Sequence, residues 1–466
     1  MIITDEQKLN EKYLMMTQEP VKRLILKMSV PTIISMLVTN IYNMVDAFFV
    51  GHLSTEAVAG VGVSFAYMAF INAFGFFFGH GSGNYISRAL GARQRDKAGK
   101  MAATGFFSPL ILGAIAAIVG LIFLSPLSRL LGATDDIVPY SNAYLRYILL
   151  ATPFMMSALT MNNQLRLQGN ARFGMIGIAS GAVLNILLDP IFIFVLDMGV
   201  SGASLATGIS QCFAWGLLLW GTTRKGNVHL KLKNFTPNAY YYKEIFLGGI
   251  PSLARQALSC VATIALNRMA VQYAEVGNEA STIAAFAIVT RIMMFCYAVI
   301  LGIGQGFQPI CGYNYGAKLY GRVKESYRFC VIWSTVLLFV MGGLGYIFAP
   351  QVVAWFRSED PELIRVGAHV MRWQCVAFPL MGLCTMTNML FQNIGYTGKA
   401  TLLAVCRQGL CFLPAVFIAP LLWGLTGLEA AQAIADLMTF LIALPFAVGI
   451  YRELREKERQ NCLTKQ

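Results

Sequence analysis

Charge is scarce in this sequence. Of 466 residues only 13% are Asp, Glu, Lys or Arg, against about a quarter in an average soluble domain. With 56% hydrophobic residues and a mean hydropathy of +0.59, there is more apolar surface than a water-soluble core can hide. A soluble chain of about three domains, which length alone would suggest, is excluded. Histidine is rarer still: the four residues make no HExxH pattern, so no zinc site of that type is expected. The ten cysteines include no CxxC pair, and most fall in apolar segments (Cys212, Cys260, Cys330, Cys384). They read as small packing residues rather than a disulfide framework. No GxxxxGK[ST] occurs, which removes the usual phosphate loop for nucleotide-driven work. The first 20 residues are polar and mixed in charge, so no cleaved signal peptide is expected. No cofactor is expected.

Long apolar runs are abundant. About 20 residues are needed to cross the hydrocarbon core, and runs of that size recur at 24–50, 57–80, 101–124, 139–160, 173–196, 200–221, 245–273, 280–303, 329–349, 364–390, 400–423 and 427–450. A backbone in lipid must satisfy its own hydrogen bonds, so each is read as a helix. The expectation is an all-α integral membrane protein of twelve transmembrane helices.

The net charge of +13 could point to nucleic acid, but its placement says otherwise. One set of loops holds Arg88, Arg93, Arg95, Lys97 and Lys100, then Arg224, Lys225, Lys231, Lys233 and Lys243, then Lys318, Arg322, Lys324 and Arg328. The tail adds Arg452, Arg455, Lys457, Arg459 and Lys465. The alternate loops carry Asp135, Asp136, Glu275, Glu279, Glu359 and Asp360 instead. By the positive-inside rule both termini are cytoplasmic, in a multi-pass protein of the cell (inner) membrane with no nucleic-acid partner.

The second half echoes the first at an offset of about 225 positions. Arg146 with Pro153 matches Arg372 with Pro379; Gly91-Ala92-Arg93 matches Gly316-Ala317-Lys318; Gly199-Val-Ser-Gly202 matches Gly424-Leu-Thr-Gly427; Pro31 matches Pro251. Each half has six spans, so both insert the same way up, as in parallel-repeat transporters. The expected organisation is an N-terminal segment at 1–23, an N-lobe at 24–221, a basic linker at 222–244, a C-lobe at 245–451 and a tail at 452–466.

Ionisable groups inside spans are costly and mark function by default. Asp46 lies near the outer end of the first span, and Asp189 about seven residues before the fifth span ends, roughly 10 Å at 1.5 Å per residue. Asn185 is one turn before Asp189 on the same face. Thr207 and Tyr144 fall at similar depth. These five groups can converge in the outer half of the N-lobe as an ion-coupling site. Carboxylate, amide and hydroxyl oxygens suit either a proton or Na⁺, the latter held between Asp46 and Asp189. The C-half is not equivalent, with Leu266 and Pro414 at the matching positions. It carries Arg255, Arg268, Arg291, Arg407 and Asp436 instead. Asn162, Arg407, Asp436 and Met293 are candidates for substrate contact or for lobe structure, Arg407 with Asp436 as an intramembrane ion pair. Pro31 is a candidate helix bend, since a mid-helix proline removes one backbone hydrogen bond. Met and Phe are frequent in the spans, and deformable apolar walls suit promiscuous binding.

The chain resembles the multidrug and toxic compound extrusion (MATE) family over about residues 20–450. The resemblance rests on Val45-Asp46-Ala-Phe-Phe-Val-Gly51, on Tyr85-Ile-Ser-Arg88-Ala-Leu-Gly91-Ala92, on Asn185-Ile-Leu-Leu-Asp189-Pro190 and on Gln308-Pro309-Ile-Cys-Gly-Tyr-Asn314-Tyr-Gly316-Ala317. It is most similar to the DinF-like branch and its MepA-like exporters. That resemblance implies two pseudo-symmetric six-helix bundles in a V, alternating access, and H⁺- or Na⁺-driven antiport of cationic or amphipathic drugs by a monomer, with a part in antibiotic resistance. It assigns coupling to Asp46 and Asp189, with Asn185, Thr207 and Tyr144 in their network. Arg255 and Gln256 stand where the NorM-like branch has an acid, so no C-lobe cation site of that kind is expected. The alternatives are a lipid-linked sugar flippase or a narrow metabolite exporter of the same superfamily. A membrane enzyme is disfavoured: Asp135-Asp136 is the only Asp-Asp pair, in a short loop with no matching second acidic motif.

Overall fold

The computed structural model describes residues 4–274, 277–357 and 359–463; Glu275 and Lys465 lie outside the described residues. The chain runs through α1 (Asp5–Gln18), α2 (Val21–Val50), α3 (Thr55–Gly91), α4 (Arg95–Ile122), α5 (Leu124–Leu130), α6 (Val138–Leu167), α7 (Ala171–Pro190) and α8 (Gly199–Thr222). It continues through α9 (Ala239–Tyr273), α10 (Glu279–Gly316), α11 (Tyr320–Ile347), α12 (Ala349–Ala354), α13 (Pro361–Ala377), α14 (Leu380–Ile394), α15 (Thr397–Val405) and α16 (Phe412–Leu463). Single π turns at Ile191–Val195 and Cys406–Leu410 extend α7 and α15.

Among the described residues nine stretches are long and apolar enough to cross a membrane, and the pair α13–α14, bent by 59°, makes a tenth span. The stretch Thr397–Leu463 holds two spans, because Gly424 breaks α16 at φ 58°, ψ −140°. The twelfth is α6, whose 30 residues include Arg146 and Arg166 yet pack among α3, α4 and α8. The sequence runs located the spans and understated their ends: α3 and α10 continue to Gly91 and Gly316. Hydropathy marks only the part in hydrocarbon, while the helices go on into the polar interface.

Polar caps start several helices. Ser54 accepts from the Ala57 N–H at 3.2 Å, and Asp360 from the Leu363 N–H at 3.0 Å, each taking up a donor the first turn leaves free. The outer walls carry the lipid-facing apolar side chains, such as Leu187, Phe339 and Leu421.

The repeat is written into the backbone. Arg93 and Lys318 take left-handed φ of 60° and 59°, and Gly199 and Gly424 take 52° and 58°. Gly91 packs against the backbone of Tyr313, and Gly316 against that of Arg88, so that a Cβ at either would overlap the opposite helix. Asn162 donates to the Gly174 carbonyl at 3.0 Å, and Asn388, at the matching position, to that of Ala400 at 2.6 Å. The halves differ at Pro153 and Pro379: α6 runs through its proline, whereas α13 and α14 separate at theirs.

In the first lobe α3, α4, α6 and α8 pack side by side, with α2 on α7; in the second α10, α14, α15 and α16 pack against α9, and α11 and α13 against α10 and α16. The lobes meet through α2 on α10 and α3 on α9, and polar bonds crowd toward the basic end. Arg166, fully buried, donates to the Gln305 carbonyl at 2.6 Å, to Gln308 Oε1 at 2.9 Å, to Asn163 Oδ1 at 2.7 Å and to His80 Nε2 at 3.3 Å. His80 Nδ1 and Ser252 Oγ share a bond of 2.9 Å, and Gln392 donates to Ser252 Oγ at 2.8 Å. Arg88 donates to the Asn393 carbonyl at 2.5 Å. These contacts tie the two lobes together at the basic end.

Helix α1 straps both lobes at that closed end. Asp5 accepts from the Gly226 N–H at 2.6 Å and lies 2.7 Å from His229 Nε2, while Lys12 donates to Asn227 at 2.7 Å. From the C-lobe side, Asn314 donates to the Met16 carbonyl at 3.0 Å and Arg322 to that of Glu19 at 2.6 Å.

Candidate functional site

In α7 the spacing of Asn185 and Asp189 puts both side chains on one face, and the Asn185 amide donates to Asp189 Oδ1 at 3.1 Å. The same amide nitrogen reaches Thr207 Oγ1 on α8 at 3.4 Å. Pro190 follows, and the π turn Ile191–Val195 ends the span. Asp46 comes from α2, which packs on α7. All four are buried: Asp46 at 6% exposure, Asp189 at 0%, Asn185 at 2% and Thr207 at 4%. Tyr144 of α6 is also buried, and its hydroxyl feels the charge of both carboxylates.

The structure therefore brings the five predicted residues into one cluster. Asp46 and Asp189 are near enough to act on one another as like charges. Three oxygens in the cluster, Asp46 Oδ1, Asn185 Oδ1 and Asp189 Oδ2, are buried with no hydrogen-bond donor. Buried acceptors left in this way are costly, and the group most complementary to two carboxylates and an amide oxygen is a cation. Among the described residues no set of three His, Cys, Asp or Glu is grouped to hold a metal ion; any cation here relies on amide and hydroxyl oxygens beside the two acids.

The sequence reading missed Tyr42, whose hydroxyl also faces both carboxylates. It stands one turn before Asp46 on α2, the i, i+4 relation that would have flagged it. It missed the seal as well: His80 and Arg166 are ionisable groups at the ends of spans, and their pairing with Gln308 and Ser252 crosses between halves, which sequence spacing does not record.

The other candidates fall elsewhere. Pro31 sits inside α2, which runs unbroken from Val21 to Val50; Thr32 bonds the Met28, Ser29 and Gly302 carbonyls around it. Asn162 spends its amide on the Gly174 backbone within the lobe. Met293 is buried in the C-lobe core. Arg407 and Asp436 form an ion pair at 3.0 Å, joined by Gln432, which donates to Asp436 Oδ1 at 2.9 Å. None of these five residues bonds the acidic cluster.

Twelve spans in two repeated bundles, tied together at one end and with two acids buried within the first, define a multi-pass membrane transporter. The chain belongs to the MatE family, whose model matches residues 31–191 and 251–418. It is 29% identical over 419 residues to the multidrug export protein MepA of Staphylococcus haemolyticus, covering 89% of this chain and 91% of that one. Two solved structures superpose closely. A MATE transporter in complex with MaL6 gives a TM-score of 0.89 at 26% identity, covering 95% of this chain and 99% of that chain. The outward-facing conformation of a multidrug resistance MATE family transporter of the MOP superfamily gives 0.88 at 27%, covering 95% and 98%.

Proposed function

We propose that this protein exports cationic and amphipathic small organic molecules by antiport against H⁺ or Na⁺. The observation that carries the reading is the acceptor-only cluster of Asp46, Asp189 and Asn185, buried in the N-lobe with three oxygens unpartnered. Two buried carboxylates repel one another, so the ionised pair favours taking up one cation at a time. A proton or Na⁺ entering from the open side relieves the repulsion. A cationic substrate competes for the same charge. Coupling follows when the loaded and unloaded clusters favour different openings of the V, because a ligand shifts an equilibrium only by its differential affinity for the two states. Tyr42, Tyr144 and Thr207 supply hydroxyls that adjust to either occupant. Similarity to MepA, a multidrug export protein, supports the substrate class.

In this reading the basic end is cytoplasmic, with both termini and the linker at 222–244 on that side of the inner membrane. The lobes at 24–221 and 245–451 rock as units, and a single chain carries out the cycle. The strap α1 and the seal around Arg166 hold the state that faces outward.

The test is ethidium efflux from cells lacking their own exporters, with proton and Na⁺ gradients collapsed separately. Efflux that stops with one gradient identifies the ion. Efflux unaffected by Asp46→Asn and Asp189→Asn removes the N-lobe site from the mechanism. Absence of efflux by well-expressed wild type favours a narrow metabolite exporter or a lipid-linked sugar flippase.

A further inference from the structure

Arg255 stands on α9 three residues beyond Ser252, the C-lobe partner of His80 in the seal. Residues three apart share a helix face, so Arg255 looks toward the lobe interface one turn further from the basic end. It is half-buried. Its charge acts on His80 across the interface and on Arg407 and Tyr297 within its own lobe.

Those two arginines differ in one respect. Arg407 is neutralised: its Nε meets Asp436 Oδ1 at 3.0 Å, and its guanidinium lies 4.4 Å over the Tyr297 ring. Asp436 is used up, because the same Oδ1 also accepts from Gln432 at 2.9 Å. Among the described residues Arg255 makes no hydrogen bond or ion pair. The group therefore holds two guanidiniums and one carboxylate, a surplus of one positive charge. The acidic cluster of the N-lobe has the opposite surplus. An unpaired charge within a membrane is costly and marks a pathway or a ligand. A guanidinium offers a planar fork of N–H donors that matches a carboxylate better than any other side chain does.

We propose that Arg255 is a substrate-binding residue that anchors an anionic group, a carboxylate in the first instance, of the transported molecule at the interface between the lobes. The inference rests on the export reading above and narrows it: zwitterionic and acid-bearing amphipathic aromatics are substrates in their own right, held by Arg255 and not by the N-lobe acids. The Tyr297 ring, already packed beneath Arg407, offers an aromatic wall beside the anchor.

Two dyes with one scaffold separate the charge from the ring system. Rhodamine 110 carries an ionised benzoate at neutral pH, and rhodamine 123 is its methyl ester. Fluorescence anisotropy on the purified full-length protein measures both. Wild type is expected to bind the acid about tenfold more tightly than the ester, the order of one charge-assisted pair. Arg255→Gln is expected to abolish that preference while holding the ester as well as wild type does, which also shows that the variant is folded, and Arg255→Lys to restore part of it. If wild type binds both dyes without preference, or Arg255→Gln keeps the preference, the anchor is wrong and the export reading stands. If wild type binds neither dye, the export reading fails and takes the anchor with it.

Discussion

Asn185 donates its amide to Asp189 Oδ1 at 3.1 Å across one turn of α7, and the same nitrogen lies 3.4 Å from Thr207. The bond leaves Asp189 Oδ2 and Asn185 Oδ1 buried and unpartnered, as Asp46 Oδ1 also is. Replacing Asn185 with Ala removes both a donor to the carboxylate and an acceptor for the ion. A hydrogen bond to a charged group contributes about 1.5–3 kcal/mol, so the expected outcome is at least a tenfold change in apparent affinity for the driving ion, weaker for Na⁺, which loses a ligand oxygen, and tighter for H⁺, because the ionised carboxylate loses a donor. Tyr42→Phe, which removes one hydroxyl and keeps the ring, should give a smaller change in the same direction. Transport rate against ion concentration in vesicles reads both; unchanged ion dependence in Asn185→Ala would remove the amide from the site.

The seal around Arg166 is the main polar bond between the lobes at the basic end, and its bond to His80 Nε2 requires that nitrogen to carry a lone pair. Arg166→Met keeps the bulk and leaves the Gln308 and Asn163 acceptors without their donor. The population should move toward opening at the basic end. Spin labels at the exposed positions Lys97 and Glu325, in a background without the exposed Cys260 and Cys462, should report a longer interlobe distance in the variant. An unchanged distance distribution would show that the apolar contacts alone keep the seal shut.

Attachment of α1 should depend on pH in two windows. Burial alone would raise the Asp5 carboxyl, but the Gly226 N–H, His229 and Lys225 outweigh it and hold the group below its ordinary range. A depressed carboxyl stabilises the docked state above the usual carboxylate pKa, and the effect is lost as pH falls below about 4. Lys12 is pushed down to about 8 by burial. Between about 8 and 10.5 the docked strap therefore binds fewer protons than the free one, and docking should strengthen as pH rises through that window. The mobility of a spin label on the exposed Asn10 should rise in acid and fall between pH 8 and 10. Mobility that rises in the alkaline window would contradict the buried placement of Lys12.

Asn162 and Asn388 make the same bond in the two repeats. Each should behave as a lobe clasp and not as a substrate contact. Replacement by Ala should cost about 1 kcal/mol of stability, the ordinary net value of one hydrogen bond, seen as a lower unfolding temperature. The ratio of transport rates for two unlike dyes should not move; a shifted ratio in Asn162→Ala would return that residue to the substrate path.

Much of the fold was legible in the sequence because lipid leaves the backbone few choices: apolar length gives the span, and Arg and Lys mark one side. The repeat showed at glycines and prolines whose backbone roles recur, as at Gly199 and Gly424. Asp46, Asp189 and Asn185 could be placed together because helix rise fixes depth and a four-residue step fixes face. What sequence could not supply was contact between halves. His80 and Arg166 meet C-lobe partners that spacing does not reveal. Asn162 looked like a pathway residue because a polar side chain in a span is costly wherever it points, and only the structure shows it turned onto the Gly174 carbonyl. The strap α1 was legible as polar sequence and nothing more, since its partners lie in the linker and in α10 and α11.

Ethidium exchange in proteoliposomes tests the coupling site most directly. Gradient-free exchange measures substrate binding and reorientation, and accumulation under an imposed H⁺ or Na⁺ gradient measures coupling. Asp46→Asn and Asp189→Asn keep the size of each side chain and remove its titratable charge. The account predicts that both variants still exchange ethidium without a gradient and no longer accumulate it with one. Accumulation at wild-type level in both variants would place the coupling outside the Asp46–Asp189 cluster.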